Sequence, residues 1–191
     1  MKRHFSGSGS GRPGRARAVA IGATALLCTG SALPAGATAD GAGPAREAAT
    51  LTGSAQLLRS SDDVVTFSFD AHLAARHDDD PLKATGTFRW SHYDSVGGGW
   101  AEAEVDCLVT GGKVAVVSGT VTRTDVPRLK GVRVGITVHD TGRADRLGYS
   151  WAATGDPVAM GSVPACVGSA PFEKVKAGTG DFRVLPWLPA F

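Results

Sequence analysis

Glu102, Glu104 and Asp106 are spaced two apart in the segment Trp100 to Cys107, WAEAEVDC. On a β-strand, alternate residues project to one face, so the three carboxyls would stand in a row about 7 Å apart. Carboxyl groups at comparable separations perform glycoside hydrolysis: one protonates the leaving oxygen, another attacks or activates water. The same alternation also describes the solvated face of a half-buried strand. The choice depends on the register of the hairpin from Ala103 to Thr122, AEVDCLVTGGKVAVVSGTVT. A strict two-residue turn at Gly111–Gly112 sets Glu104 opposite Gly119 and Asp106 opposite Val117, among apolar residues. A bulged three-residue turn sets Cys107 opposite Val117 and leaves the acids outside. The sequence leaves both registers open.

Other residues with chemical potential are more scattered. Trp100 shares the parity of the acids and follows Gly97-Gly98-Gly99. An exposed indole beside carboxylates can stack on a sugar ring, which makes Trp100 a candidate ligand-binding residue; the alternative is that it covers the open end of the core. His72, His92 and His139 fall in strand-like segments without a useful metal spacing. The acidic loop His77 to Pro81 (HDDDP), and the one bracketed by Asp140 and Asp145, are oxygen-rich but lack the ligand spacing of an EF-hand. No metal site and no cofactor is therefore expected. Neither G-x-S-x-G, H-E-x-x-H nor a phosphate loop occurs beyond residue 39, so serine-hydrolase and zinc-peptidase chemistry have no support.

The amino-terminal segment reads as an export signal. Lys2, Arg3, Arg12, Arg15 and Arg17 precede an apolar run from Ala18 to Leu27, and Ala37-Thr38-Ala39 has the form that a signal peptidase cuts. The apolar run is too short to span a bilayer. The expected organisation is a signal peptide over 1–39, a disordered lead-in over 40–48 and a secreted, extracellular β-domain over 49–191. The whole chain has 20 Lys and Arg against 18 Asp and Glu. Without the leader the basic count falls to 15, a net charge of −3, with no Lys/Arg run. Nucleic acid is not an expected partner, nor is a membrane after cleavage. With Cys28 in the leader, Cys107 and Cys166 remain, an even number in an oxidising compartment, and are expected to form a disulfide.

The elements that must position these residues are strands. Val65, Phe67, Phe69, Ala71 and Leu73 alternate with polar residues, as do Phe88 with Trp90, Val132 through Val138, and Leu147, Tyr149 and Trp151. Leu51, Gly53, Ala55 and Leu57 share a face of a first strand, and Phe182 with Val184 suggests a closing one. Turn-forming clusters separate these runs at 77–81, 94–99, 111–112, 140–145 and 177–181. No amphipathic helical period of useful length interrupts them. The spacing predicts an all-β fold: a single antiparallel β-sandwich or a small closed barrel of about eight strands. The chain contains no Asn, so N-glycosylation is excluded.

Val105, Cys107, Leu108, Gly112, Ala115, Val117, Gly119 and Val121, followed by Val138, Asp140, Gly142 and Cys166, form a pattern. In it the chain resembles a group of small secreted bacterial proteins of unknown function, with a V-x-C-L strand, a Gly turn, A-x-V-x-G and a downstream Cys. The resemblance covers roughly residues 60 to 185. Thr110 departs from it where an apolar residue is expected, and Lys113 stands where a turn Asn is common. It implies a secreted all-β fold and no mechanism. The leading expectation is a secreted, non-enzymatic β-domain that binds a small molecule, a glycan or a protein. The alternatives are a small glycosidase-like hydrolase using Glu102, Glu104 and Asp106, and a structural cell-surface component. A cavity lined by Trp90, Tyr149 and Trp151 would favour the first, a cleft holding the acids the second, and a filled core the third.

Overall fold

The computed structural model describes residues 46–60 and 62–188. The expected leader and residues 40–45 of the lead-in lie outside them. Nine antiparallel strands form one curled sheet, a half-barrel: β1 (Glu47–Gln56), β2 (Val64–Ala74), β3 (Thr85–Tyr93), β4 (Gly98–Gly111), β5 (Val114–Thr124), β6 (Arg133–His139), β7 (Arg146–Tyr149), β8 (Glu173–Lys174) and β9 (Arg183–Leu185). Among the described residues, helix is limited to α1 (Pro157–Met160) and three single 3-10 turns. The all-β expectation holds, as one curled sheet and not two stacked ones. β1 already pairs at Glu47, opposite Ala74, so the last two residues of the expected lead-in belong to a strand.

The connectivity is a meander. Each strand from β1 to β7 pairs with the next, and β9 returns to the free edge of β1 at Thr50–Thr52. The alternating residues Phe67, Phe69, Ala71 and Leu73 of β2 and Phe88 and Trp90 of β3 point into the curl. There they bury against Ala101, Ala103 and Val105 of β4, Val117 and Val121 of β5, and Val134, Ile136 and Val138 of β6. One face of the sheet thus supplies most of the core, which is why alternation persists along the chain.

The curl brings the two sides of the sheet together. Leu58 N–H donates to Lys174 O at 2.7 Å and Lys176 N–H to Gln56 O at 2.8 Å, with Leu57 bridged to Val175. These contacts make a seam between the end of β1 and β8. The residues after β9 then seal one end of the half-barrel. The Thr110 hydroxyl donates to Leu185 O at 2.9 Å and accepts from Trp187 N–H at 2.6 Å, and the Trp187 indole N–H donates to Asp78 O at 2.7 Å. The departure at Thr110 has a physical reason: a buried hydroxyl is what those two backbone groups need.

The β4–β5 hairpin adopts neither of the two expected registers. Gly111 pairs with Val114 across Gly112-Lys113, Leu108 lies opposite Val117 and Cys107 opposite Ser118. Asp106 is then an extra residue, and the ladder resumes with Val105 opposite Gly119 and Glu104 opposite Thr120. Such a bulge inverts the parity of a strand. Ala101, Ala103 and Val105 face the core before it, Leu108 after it, and Cys107 is turned to the outer face. Cys107 is nonetheless fully buried, because the segment from Val163 to Ala170 crosses that face as a strap. Cys107 is disulfide-bonded to Cys166, with Cα atoms 5.3 Å apart. Val163 N–H donates to Arg133 O at 3.2 Å and Cys166 N–H to the Ser118 hydroxyl at 3.0 Å. A Cβ on Gly135 would overlap the carbonyl of Val167, and one on Gly148 the carbonyl of Ala170. Glycine on the outer face of β6 and β7 is what lets a second layer of backbone lie so close.

Candidate functional site

The end of the half-barrel opposite Trp187 is open, and a cavity of about 500 Å³ enters there. The amino-terminal end of β2 supplies Val65 and Phe67, and the carboxy-terminal end of β3 supplies Trp90 and His92. Tyr149 and Trp151, at and just after the end of β7, complete an aromatic floor. The ring centroids of Trp90 and Trp151 are 5.0 Å apart, and those of Tyr149 and Trp151 4.8 Å. Phe67 lies 6.0 Å from Tyr149 and 6.3 Å from Trp151. All four separations lie in the range where aromatic pairs attract. Rigid flat rings cannot fill a curved space as branched aliphatics do, and an open volume remains above them.

Polar groups line the rim. The turn Asp94–Gly97 is held by the Asp94 carboxylate, which accepts from Val96 N–H at 2.7 Å and from Gly97 N–H at 2.9 Å. These two bonds lower the Asp94 pKa from its ordinary value. On the opposite side Arg128 pairs with Asp156, whose pKa is lowered by that hydrogen bond and by the Val158 N–H it also accepts. Asp156 caps α1, and Pro157 at its first turn lines the cavity.

A third polar group lies where the seam meets the cavity. Arg59, in the β1–β2 connection, donates through Nη2 to the Tyr149 hydroxyl at 2.9 Å and to Glu173 Oε1 at 2.5 Å. Tyr149 also donates to Glu173 at 3.2 Å. Burial is the main cause that raises the Tyr149 pKa; the Arg59 charge pulls it back, and Glu173 adds to the rise. Burial works against the charge on Arg59 too, but Tyr149, Glu173 and Asp63 outweigh it and its pKa is raised. Arg59 is charged and Tyr149 neutral across the physiological range.

The acids of β4 lie elsewhere. Glu102, Glu104 and Asp106 are on the outer face, and none of them lines the cavity. Glu102 is paired with Arg123 at 3.0 Å, and Glu104 is exposed. Asp106 pairs with Arg133 at 2.6 Å and accepts from the Ser118 hydroxyl at 2.6 Å. The bulge thus converts Asp106 into a bracket between β4, β5 and β6. Trp100 sits on the same outer face, with the Arg89 guanidinium 4.1 Å above its ring, and also reaches the rim of the cavity. Its indole is occupied by a cation, and it adjoins the site from outside.

The histidines and acidic loops are dispersed. His72 contacts Asp70 at 2.8 Å, His92 is 2.7 Å from Asp63 at the rim, and His139 lies opposite Val114. Asp80 caps a 3-10 turn, Asp140 pairs with Lys113, and Asp145 accepts from Thr141 and Gly142 N–H groups within its own turn. Among the described residues no group of three or more His, Cys, Asp or Glu side chains is placed to hold a metal.

No family model matches the chain, and neither a curated protein nor a solved structure matches it. The geometry alone therefore carries the functional argument. Trp90, Tyr149 and Trp151 were legible as one set of inward residues from alternation. Arg59 was not: it stands in a connection with no motif, and its role depends on Glu173, which is distant in sequence and arrives through the seam.

Proposed function

We propose that this chain is a secreted, non-enzymatic β-domain that binds an apolar, ring-containing small molecule in the open end of its half-barrel. The observation that carries this reading is the cavity of about 500 Å³ floored by Phe67, Trp90, Tyr149 and Trp151. Its size lies within the range of small-molecule sites, where aromatic side chains combine with a few polar groups that fix orientation. Secretion is supported by the signal-like sequence over 1–39 and by the Cys107–Cys166 disulfide, which persists in an oxidising compartment. The resemblance to small secreted bacterial proteins belongs to the same proposal. Hydrolysis by Glu102, Glu104 and Asp106 is disfavoured, because two of the three are held in ion pairs and none lines the cavity.

Titration of the purified, disulfide-bonded protein with the neutral probe N-phenyl-1-naphthylamine tests the reading. The expected result is saturable 1:1 binding with a Kd on the order of 10 μM, accompanied by quenching of tryptophan emission. Absence of saturation up to about 100 μM, roughly the weakest affinity such a probe should show in a formed site, would reject it.

A further inference from the structure

The polar groups around the cavity do not lie at equal depth. Arg128 pairs with Asp156 through Nη1 out on the rim, where its side chain is 59% exposed, and Asp94 holds its own turn through Oδ1. Arg59 lies deeper and is hydrogen-bonded to Tyr149 of the floor. A guanidinium carries five N–H groups, and only Nη2 is engaged, by Tyr149 and Glu173. Nε is buried and has no hydrogen-bond partner among the described residues; it faces Asp63 Oδ2 at 4.0 Å. Nη1 makes no hydrogen bond among the described residues, on a side chain that is 28% exposed and lines the cavity. The open edge of the guanidinium is therefore a donor beside an aromatic floor.

The charge around that donor sets the kind of acceptor it suits. Glu173 and Asp63 stand within 4.0 Å of the single positive charge. An incoming carboxylate or phosphate would meet two negative groups and would lose its own hydration on entering. A neutral oxygen meets no such repulsion and satisfies a donor that would otherwise be covered without a partner when a ligand fills the space.

Resting on the small-molecule reading above, we propose that the cavity selects planar aromatic molecules bearing a neutral carbonyl-type acceptor. The ring lies against Trp90 and Trp151, and the oxygen accepts from Nη1 of Arg59. Arg59 is thus a specificity-determining residue as well as a clasp of the seam.

Three near-isosteric probes separate the possibilities: 2-acetylnaphthalene, 2-isopropenylnaphthalene, in which CH2 replaces the carbonyl oxygen, and 2-naphthoate. Calorimetric or fluorescence titration of the wild-type protein is expected to favour the ketone over each of the others by about tenfold. In Arg59→Lys, which keeps the charge beside Glu173 but loses the planar fork, that preference should shrink to within about threefold. A second measurement needs no variant: in arginine-labelled NMR spectra the ketone should shift the Arg59 guanidinium signals further than the hydrocarbon does. Equal affinity for ketone and hydrocarbon would overturn the inference while leaving the small-molecule reading intact. Tightest binding of naphthoate would overturn the neutral-acceptor preference. Failure of all three probes to bind would overturn both.

Discussion

The two ends of the half-barrel are built from the same alternating strands yet end differently. At the sealed end the inward residues are short or branched aliphatics, among them Ala49, Leu51, Ala71, Leu73, Ala115 and Val138, each 0% exposed. Trp187 and Thr110 lock that end with three hydrogen bonds. At the open end the inward positions of β2, β3 and β7 carry Phe67, Trp90 and Tyr149, Trp151 follows just after β7, and a cavity persists. Side chains that conform to the curvature remove the space, whereas stiff planar ones frame it. Under the proposed function, the contrast assigns stability to one end and recognition to the other.

The most severe way to break the contrast is to remove the wall behind both ends. Replacing Cys107 and Cys166 together with Ser frees a loop of 59 residues, worth about 4 kcal/mol on the chain-entropy model. Urea unfolding should show a loss of that order, and one below about 1 kcal/mol would mean that the strap is held by its other contacts. Next in size is Leu51→Ala at the sealed end, expected to cost about 3 kcal/mol while leaving the affinity for the neutral naphthyl probe within twofold. A large change in affinity there would couple the two ends and defeat the division of labour.

At the open end the signs reverse. Trp151→Phe should cost only about 1 kcal/mol, because the vacated volume adjoins existing open space, but should weaken probe binding by about tenfold. If stability fell as far as in Leu51→Ala with binding unchanged, Trp151 would be core and not floor. Smaller still is Glu104→Gln on the outer face, expected within ±0.5 kcal/mol of wild type with no effect on binding.

The last measurement sharpens the description of the rim. The Asp94 pKa is depressed by the hydrogen bonds from Val96 and Gly97. Its contribution is therefore complete above the ordinary carboxylate value of about 4 and is lost as pH falls through the lower folded value. Amide exchange at Val96 and Gly97, corrected for intrinsic rates, should stay constant from neutral pH down to about 4. It should rise only below that, with no matching change around Trp187. A rise beginning well above pH 4 would mean that the Asp94 carboxylate is not what holds the turn.

How much of this was legible in the sequence follows from the range of the forces involved. Alternation is local, so Phe67, Trp90, Tyr149 and the core stripe could be assigned to one inward face without a structure. The cysteine pairing followed from an even number of cysteines and the expected oxidising compartment. What failed was whatever depends on a single inserted residue or on a distant partner. The bulge at Asp106 shifts β4 by one position, and nothing in VDCLVTGG distinguishes it from a longer turn. The seam that brings Glu173 to Arg59 joins residues 114 apart. The strap left a trace, glycines at 135 and 148 inside strands, but an isolated strand glycine has several meanings.

The strap also alters how that side of the molecule can vary. On β2 only every second residue is committed to the interior, so its outward positions are free to drift with a period of two. On β6 the run Val134 to Val138 is buried without interruption, since Gly135 and Thr137 are covered from outside. Substitutions there would be rejected at consecutive positions, and most sharply at Gly135, where even a methyl group has nowhere to go. A saturation library of this chain would therefore show a two-residue rhythm of tolerance along β2 that flattens to continuous intolerance across β6. The rhythm would outline the path of the strap from genetics alone.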